Sequence, residues 1–130
     1  MSGQRKLLAI VEQGGYPNFT RFYQACGYDV TMEYTMRKAM AVIRKSVPDV
    51  IVAEFNHQSD FRDRTSTLES LLATVERTQQ TSNKEVKVII FFESQYLPQL
   101  EKLQTMFNNF DALPYPIEEH TLRERITYQG

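Results

Sequence analysis

The hydrophobic positions of this chain follow two periods that alternate along its length. Residues 7–11 form an unbroken apolar run ending at Gln13-Gly14-Gly15, as expected of a strand covered on both faces. Phe19, Phe22, Tyr23 and Cys26 then recur at i, i+3, i+4 and i+7, one stripe of a helix. Asn18 is placed to cap its start and Gly27 to end it. Residues 29–34 alternate, with Val30 and Met32 on one face, which predicts a strand near a sheet edge. Met36, Ala39, Met40 and Ile43 make the next helical stripe, capped by Thr35 and bounded by Pro48.

Residues 50–55 predict a second fully buried strand. The polar stretch 56–67 reads as a long loop, and Leu68, Leu71, Leu72 and Val75 as a third helix with Ser66 and Glu69 at capping-box spacing. Residues 86–92 are a third strongly apolar strand. Leu100, Leu103, Phe107 and Phe110 mark a fourth helix, and residues 112–115 a short strand. The last predicted helix, 118–128, carries its acids in the first turn and Arg123 and Arg125 later, as the helix dipole favours.

Five strands alternating with five helices predict an α/β fold: a parallel sheet, doubly wound, with helices on both faces. Right-handed crossovers leave few topologies, and the flavodoxin-like (βα)5 order 2-1-3-4-5 fits this length best. Residues 1–130 are expected to form one domain, since no linker-like stretch divides them. Sheets of this kind place their sites outside the carboxyl ends of the strands, at the switch between strands 1 and 3. The residues leaving those strands are Glu12 with Gln13, and Glu54 with Phe55.

Composition narrows the function classes. A chain of 130 residues that is 42% hydrophobic can bury a real core. A formal net charge of -1 gives no general attraction to nucleic acid or anionic lipid, so neither is expected as a partner. The longest apolar runs are far too short to cross a bilayer, and residues 1–6 lack a signal-peptide core. Cys26 is the single cysteine, which excludes an intrachain disulfide and fits a reducing compartment; a cytoplasmic location is expected. On the stripe of its helix, Cys26 is expected to be buried and inert.

The residues also resemble a known family. Gly27-Tyr28-Asp29-Val30, then Ala39-Met40 and Ile43, then Pro48-Asp49 followed by Val50-Ile51-Val52-Ala53 and Glu54, are similar to the response-regulator receiver domains of two-component signalling. Receivers carry Gly-Tyr-x-Val, an Ala-Leu pair in helix 2, and Pro-Asp before four apolar residues. The spacing here matches without a gap, and Pro116 stands where the family has a proline after strand 5. The resemblance spans nearly the whole chain.

A receiver phosphorylates itself on an aspartate ending strand 3, with a Mg²⁺ held by acids after strand 1, a Thr or Ser ending strand 4, and a Lys before the proline. Position by position, the resemblance puts Glu54 at the phosphoacceptor, Glu12 and Gln13 at the acid pair, Phe92 at the hydroxyl and Tyr115 at the lysine. Gln13 removes a negative charge from a site whose Mg²⁺ demands close oxygen ligands. The extra methylene of Glu54 pushes its carboxylate into the phosphoryl space. Phe92 cannot hydrogen-bond a phosphoryl group, and Tyr115 cannot neutralise developing charge. The set reads as a degenerate, pseudo-receiver site with its phosphotransfer chemistry removed.

Glu54 has three readings: a mimic of a phosphorylated aspartate, a solvated relic at the rim of the sheet, or a weak cation ligand with Glu12; the relic is favoured. Phe92 and Tyr115 read as packing residues that close the cleft, the Tyr hydroxyl staying wet at its edge. The Tyr115-Pro116 bond is expected to be cis, as in the family. Gly14-Gly15 lacks a phosphate-loop fingerprint, and His57 and His120 are too few for a metal cluster and lack triad spacing. No enzyme activity, metal or cofactor is expected.

The leading function is a stand-alone receiver-like signalling module acting by protein–protein interaction, through a signalling partner or as a homodimer. Receivers pair through helix 4, strand 5 and helix 5, which assigns Tyr96, Lys102, Arg123, Arg125 and Tyr128 as candidate interface residues. Two alternatives remain: a phosphorelay response regulator phosphorylated at a non-standard site, and a small flavin or nucleotide binder.

Overall fold

The computed structural model describes residues 5–11, 18–55 and 63–126, the side chains of 63–67 excepted. Residues 56–62 of the predicted 56–67 loop, the Gly14-Gly15 turn, Glu12, Gln13, His57 and Tyr128 lie outside the described residues, and residues 63–67 of that stretch are helical rather than loop. Five strands, β1 (Arg5–Ile10), β2 (Tyr28–Glu33), β3 (Val50–Phe55), β4 (Lys87–Phe92) and β5 (Asp111–Pro114), alternate with α1 (Thr20–Ala25), α2 (Met36–Lys45), α3 (Asp63–Ser82), α4 (Leu97–Met106) and α5 (Glu119–Ile126). The strands pair in parallel in the order β2-β1-β3-β4-β5, the predicted flavodoxin-like topology.

Strand parity divides the core into two layers. Leu8, Ile10, Ile51, Ala53, Phe55, Val88, Ile90 and Phe92 face α2, α3 and α4. Leu7, Ala9, Val50, Val52, Ile89, Phe91 and Leu113 face α1 and α5. The three central strands therefore have to be apolar at nearly every position, which is why they read as unbroken runs. β2 and β5 are edge strands; β2 alternates as an edge should, and Pro114 is tolerated as the last residue of β5. Among the described residues, no helix is long and apolar enough to cross a membrane.

Local signals account for most helix ends. The Lys38 backbone N–H donates to Thr35 Oγ1 at 3.2 Å, the expected cap of α2. Gly27 follows α1 at φ +96°, a left-handed conformation that favours glycine. Asn18 Oδ1 accepts from the Thr20 backbone N–H at 2.9 Å and from the Thr20 hydroxyl at 2.6 Å, so it acts one position ahead of the helix-bounding Phe19. Pro98 lies in the first turn of α4, where its missing N–H costs nothing.

Three expectations need correction. α3 begins at Asp63, so Ser66 and Glu69 lie inside the helix rather than at its start. α4 ends at Met106, and Phe107 and Phe110 pack against the core from beyond it. Cys26 is half-buried rather than buried, because it ends α1 and is not carried inward by a further turn.

At the amino ends of the strands, Asp49 forms a clasp. Its backbone N–H donates to the Lys6 carbonyl at 2.8 Å, its carbonyl accepts from Lys87 at 2.9 Å, and its carboxylate accepts from the Lys6 backbone N–H at 2.8 Å. Lys84 Nζ stands 3.4 Å from the same carboxylate and donates to the Val47 carbonyl at 2.7 Å. The side chain and both backbone groups of this one residue thus tie β1, β3 and β4 together.

Candidate functional site at the carboxyl ends of the strands

The positions singled out in the sequence meet at one rim of the sheet, and their side chains then part. Glu54 pairs with Phe91 across β3 and β4, Phe55 with Phe92, and Phe92 with Pro114. The Tyr115 backbone N–H donates to the Phe92 carbonyl at 2.7 Å, which brings the lysine position of a receiver beside its hydroxyl position. The Tyr115-Pro116 peptide bond is cis.

Glu54 follows the parity of Val50 and Val52 onto the α1 face, and it is only 8% exposed. A relic solvated at the rim does not describe it. Phe92, one parity step away from Phe91, points into the opposite layer among Leu68, Leu100 and Leu103. It packs, as expected, but it does not stand over Glu54. Tyr115 is 45% exposed. Glu12 and Gln13 follow Val11, whose N–H donates to the Glu33 carbonyl at 2.9 Å and extends the β1–β2 ladder by one residue.

The aromatic that meets Glu54 is Phe91. Together with Ala9, Phe19, Val52 and Tyr23 they line a cavity of about 200 Å³ at the carboxyl ends of β1 and β3, under the start of α1. Phe19 packs on Phe91 edge to face, with ring centroids 6.0 Å apart. Tyr23 is buried beneath, and its phenol is pushed well above its usual range, first by burial and then by the negative charge of Glu54. The Thr20 hydroxyl, 2.6 Å from Asn18 Oδ1 and 3.0 Å from Met32 Sδ, ties the start of α1 to β2 at the rim. The signal that would have found Phe91 was present in the sequence: alternation from Ile89 puts it in phase with Glu54.

The chemistry available is limited. Glu54 and Thr74 are the buried polar residues among those described, and no three His, Cys, Asp or Glu side chains there are grouped to hold a metal. His120 is exposed, 3.4 Å from Glu118 and 3.4 Å from the Thr121 hydroxyl, on the last helix and away from the cavity.

The candidate interface residues also separate. Tyr96 is partly buried against the α2–α4 layer, while Lys102 and Arg125 are exposed. The Arg123 guanidinium lies 5.2 Å from the Phe22 ring centroid, a cation–π contact at the seam of α5 with α1. Two exposed apolar residues of α4 escaped the sequence reading: Leu97, 41% exposed, and Met106, 52% exposed. Met106 lies on the last turn of α4, where helical period alone does not distinguish core from surface.

No family model matches the chain, and no curated protein matches it in sequence. Solved structures do. It is similar to the chemotaxis response regulator CheY4 of Vibrio cholerae, with a TM-score of 0.68 at 16% identity over 93% of this chain and 94% of that one. It is similar to the receiver domain of the Francisella response regulator 1452, with a TM-score of 0.61 at 20% identity over 94% and 93%. A response regulator receiver domain protein from Clostridium thermocellum gives a TM-score of 0.65 at 13% identity over 94% and 90%. With strand order, helix layers and coverage in agreement, the chain has the fold of the response-regulator receiver domains.

Proposed function

We propose that this chain is a receiver-like signalling module that acts by binding a protein partner and uses no aspartyl phosphate. The observation carrying this reading is the divergence at the carboxyl rim. Where receivers gather an acceptor, a hydroxyl and a cation around one phosphoryl group, this chain buries Glu54 under α1, sinks Phe92 into the opposite layer and leaves Tyr115 exposed. Those three side chains cannot share a phosphoryl group, and none supplies the positive charge phosphoryl transfer needs.

The partner is a signalling protein or a second copy of the chain, met at α4, β5 and α5 in the cytoplasm. Of the four exposed large apolar side chains among the described residues, Leu97 and Met106 lie on α4 and Tyr115 directly follows β5, while Tyr34 follows β2. Lys102 and Arg125 supply a charged rim. The test has two arms. Incubation with acetyl phosphate and Mg²⁺ should leave the intact mass unchanged; an adduct that Glu54→Gln abolishes would overturn the reading. Capture from the native cell should recover a protein, or sedimentation a dimer, that Met106→Asp releases; retention by Met106→Asp and Leu97→Asp alike removes this surface.

A further inference from the structure

We infer that the outer face of α2 and the groove between α2 and α3 form a docking site for an acidic segment of a partner protein, one that carries an apolar side chain among its carboxylates. This surface is separate from α4, β5 and α5, and the inference does not rest on the reading proposed for them.

Charge along α2 is one-sided. Arg37, Lys38, Arg44 and Lys45 are exposed and no acid belongs to the helix, in a chain whose formal net charge is -1. The helix dipole favours Arg44 and Lys45 in the last turn, but it opposes Arg37 and Lys38 in the first. Among the described residues, none of the four has a carboxylate at ion-pair distance, so contacts within the fold do not account for them. An open groove of about 440 Å³ runs between the end of α2 and the last turns of α3. Arg44 enters it from α2 and Arg77 from α3, Ile43 and Val47 supply apolar floor, and no acid lines it. The Thr81 hydroxyl donates to the Arg77 carbonyl at 2.9 Å and the Ser82 hydroxyl to the Thr78 carbonyl at 2.7 Å, which softens the negative pole of α3 beside the groove. A guanidinium is charged at every working pH and can pair with a carboxylate through two parallel N–H donors.

The same features select among anionic partners. A lipid surface needs an apolar helix face turned outward, and α2 has buried its own as Met36, Ala39 and Ile43. A nucleic acid strand would find no aromatic ring in the groove on which to stack its bases, and Glu76 and Glu85 interrupt the cations on the α3 side. A small free anion would stay wet, because Arg44 and Arg77 are both exposed. A protein segment can instead set carboxylates against the two guanidinium groups and an apolar side chain over half-buried Val47, where the arginine stems add further apolar wall.

The experiment titrates the full chain at neutral pH and low salt with a blocked hexapeptide, Glu-Asp-Leu-Glu-Asp-Leu, reading backbone amide resonances. Saturable shifts should map to Ile43, Arg44, Thr78 and Thr81. Serine in place of both leucines should weaken binding about tenfold, as expected of one apolar side chain returned to water, and lysine in place of the acids should abolish it. Arg44→Glu and Arg77→Glu should each weaken the acidic peptide by at least about tenfold, the scale of a charge-assisted hydrogen bond. Arg21→Glu makes the same change of charge on α1, across the sheet, and should leave affinity within about twofold once screening by salt is matched. The peptide series on the unaltered chain decides the matter even where an arginine variant fails to fold. No saturable binding, shifts mapping elsewhere, equal affinity for the serine peptide, tighter binding of a short oligothymidylate, or a loss in Arg21→Glu as large as in Arg44→Glu would each overturn the proposal.

Discussion

Replacing Tyr23 by Phe should remove a specific part of the alkaline instability of this protein. Tyr23 is 3% exposed, and burial, followed by the charge of Glu54, holds its phenol proton far more tightly than in the unfolded chain. An unfolded tyrosine releases its proton near pH ~10. Because the folded value is raised, the contribution is complete below that pH and is lost as pH rises above it, where the unfolded state binds fewer protons than the folded one. The slope approaches about 1.4 kcal/mol per pH unit, and one unit above the unfolded value the accumulated loss is about 1.4 kcal/mol. Urea unfolding followed by far-UV circular dichroism at pH 8, 10 and 11 measures it. The stability difference between the parent and Tyr23→Phe should shift by about 1.4 kcal/mol between pH 8 and pH 11, against the parent. Tyr28, also raised by burial, is common to both proteins and cancels. Glu54→Gln should keep most of the slope, since burial is the larger cause. Parallel pH profiles for the parent and Tyr23→Phe would refute the reasoning.

Two further outcomes concern the scaffold. Leu71→Ala empties a fully buried position in the α2–α4 layer and should cost about 2–5 kcal/mol in urea unfolding. Gly27→Ala should cost roughly 1–2 kcal/mol, and a neutral result would remove the argument from backbone conformation; the new Cβ meets nothing within 4 Å, so the loss comes from φ +96° alone.

Most of the architecture was legible because burial on two faces leaves a strong trace. Inside the runs that became β1, β3 and β4 the polar positions are few, Lys87 at the entrance of β4 and Glu54 near the exit of β3, and the stripes of α2 and α3 repeated without interruption. Strand order followed from handedness and length. The ends were less legible: α3 extends back through a polar stretch to Asp63, because helix continuation there needs no apolar residue. The site was half legible. Spacing put Glu54, Phe92 and Tyr115 at the correct rim, and parity, which decides the face each side chain enters, sends Phe92 away and Phe91 toward Glu54. Arg123, an expected rim residue, is exposed, and its contact with the Phe22 ring was not legible because charge patterns along a helix do not reveal which neighbour lies across.

The clasp at Asp49 concentrates side-chain control of strand alignment at one end of the sheet. Slipping β1 against β3 would break the two Lys6 bonds, and slipping β3 against β4 the Lys87 bond and the Lys84 ion pair, so alignment of the three inner strands is enforced through one residue at one pole of the molecule. At the opposite pole the register is carried by backbone hydrogen bonds, such as Tyr115 N–H to the Phe92 carbonyl. Backbone bonds do not depend on side-chain identity, so Phe92 and Tyr115 can be exchanged there at no cost to the alignment that Asp49 enforces from the far end.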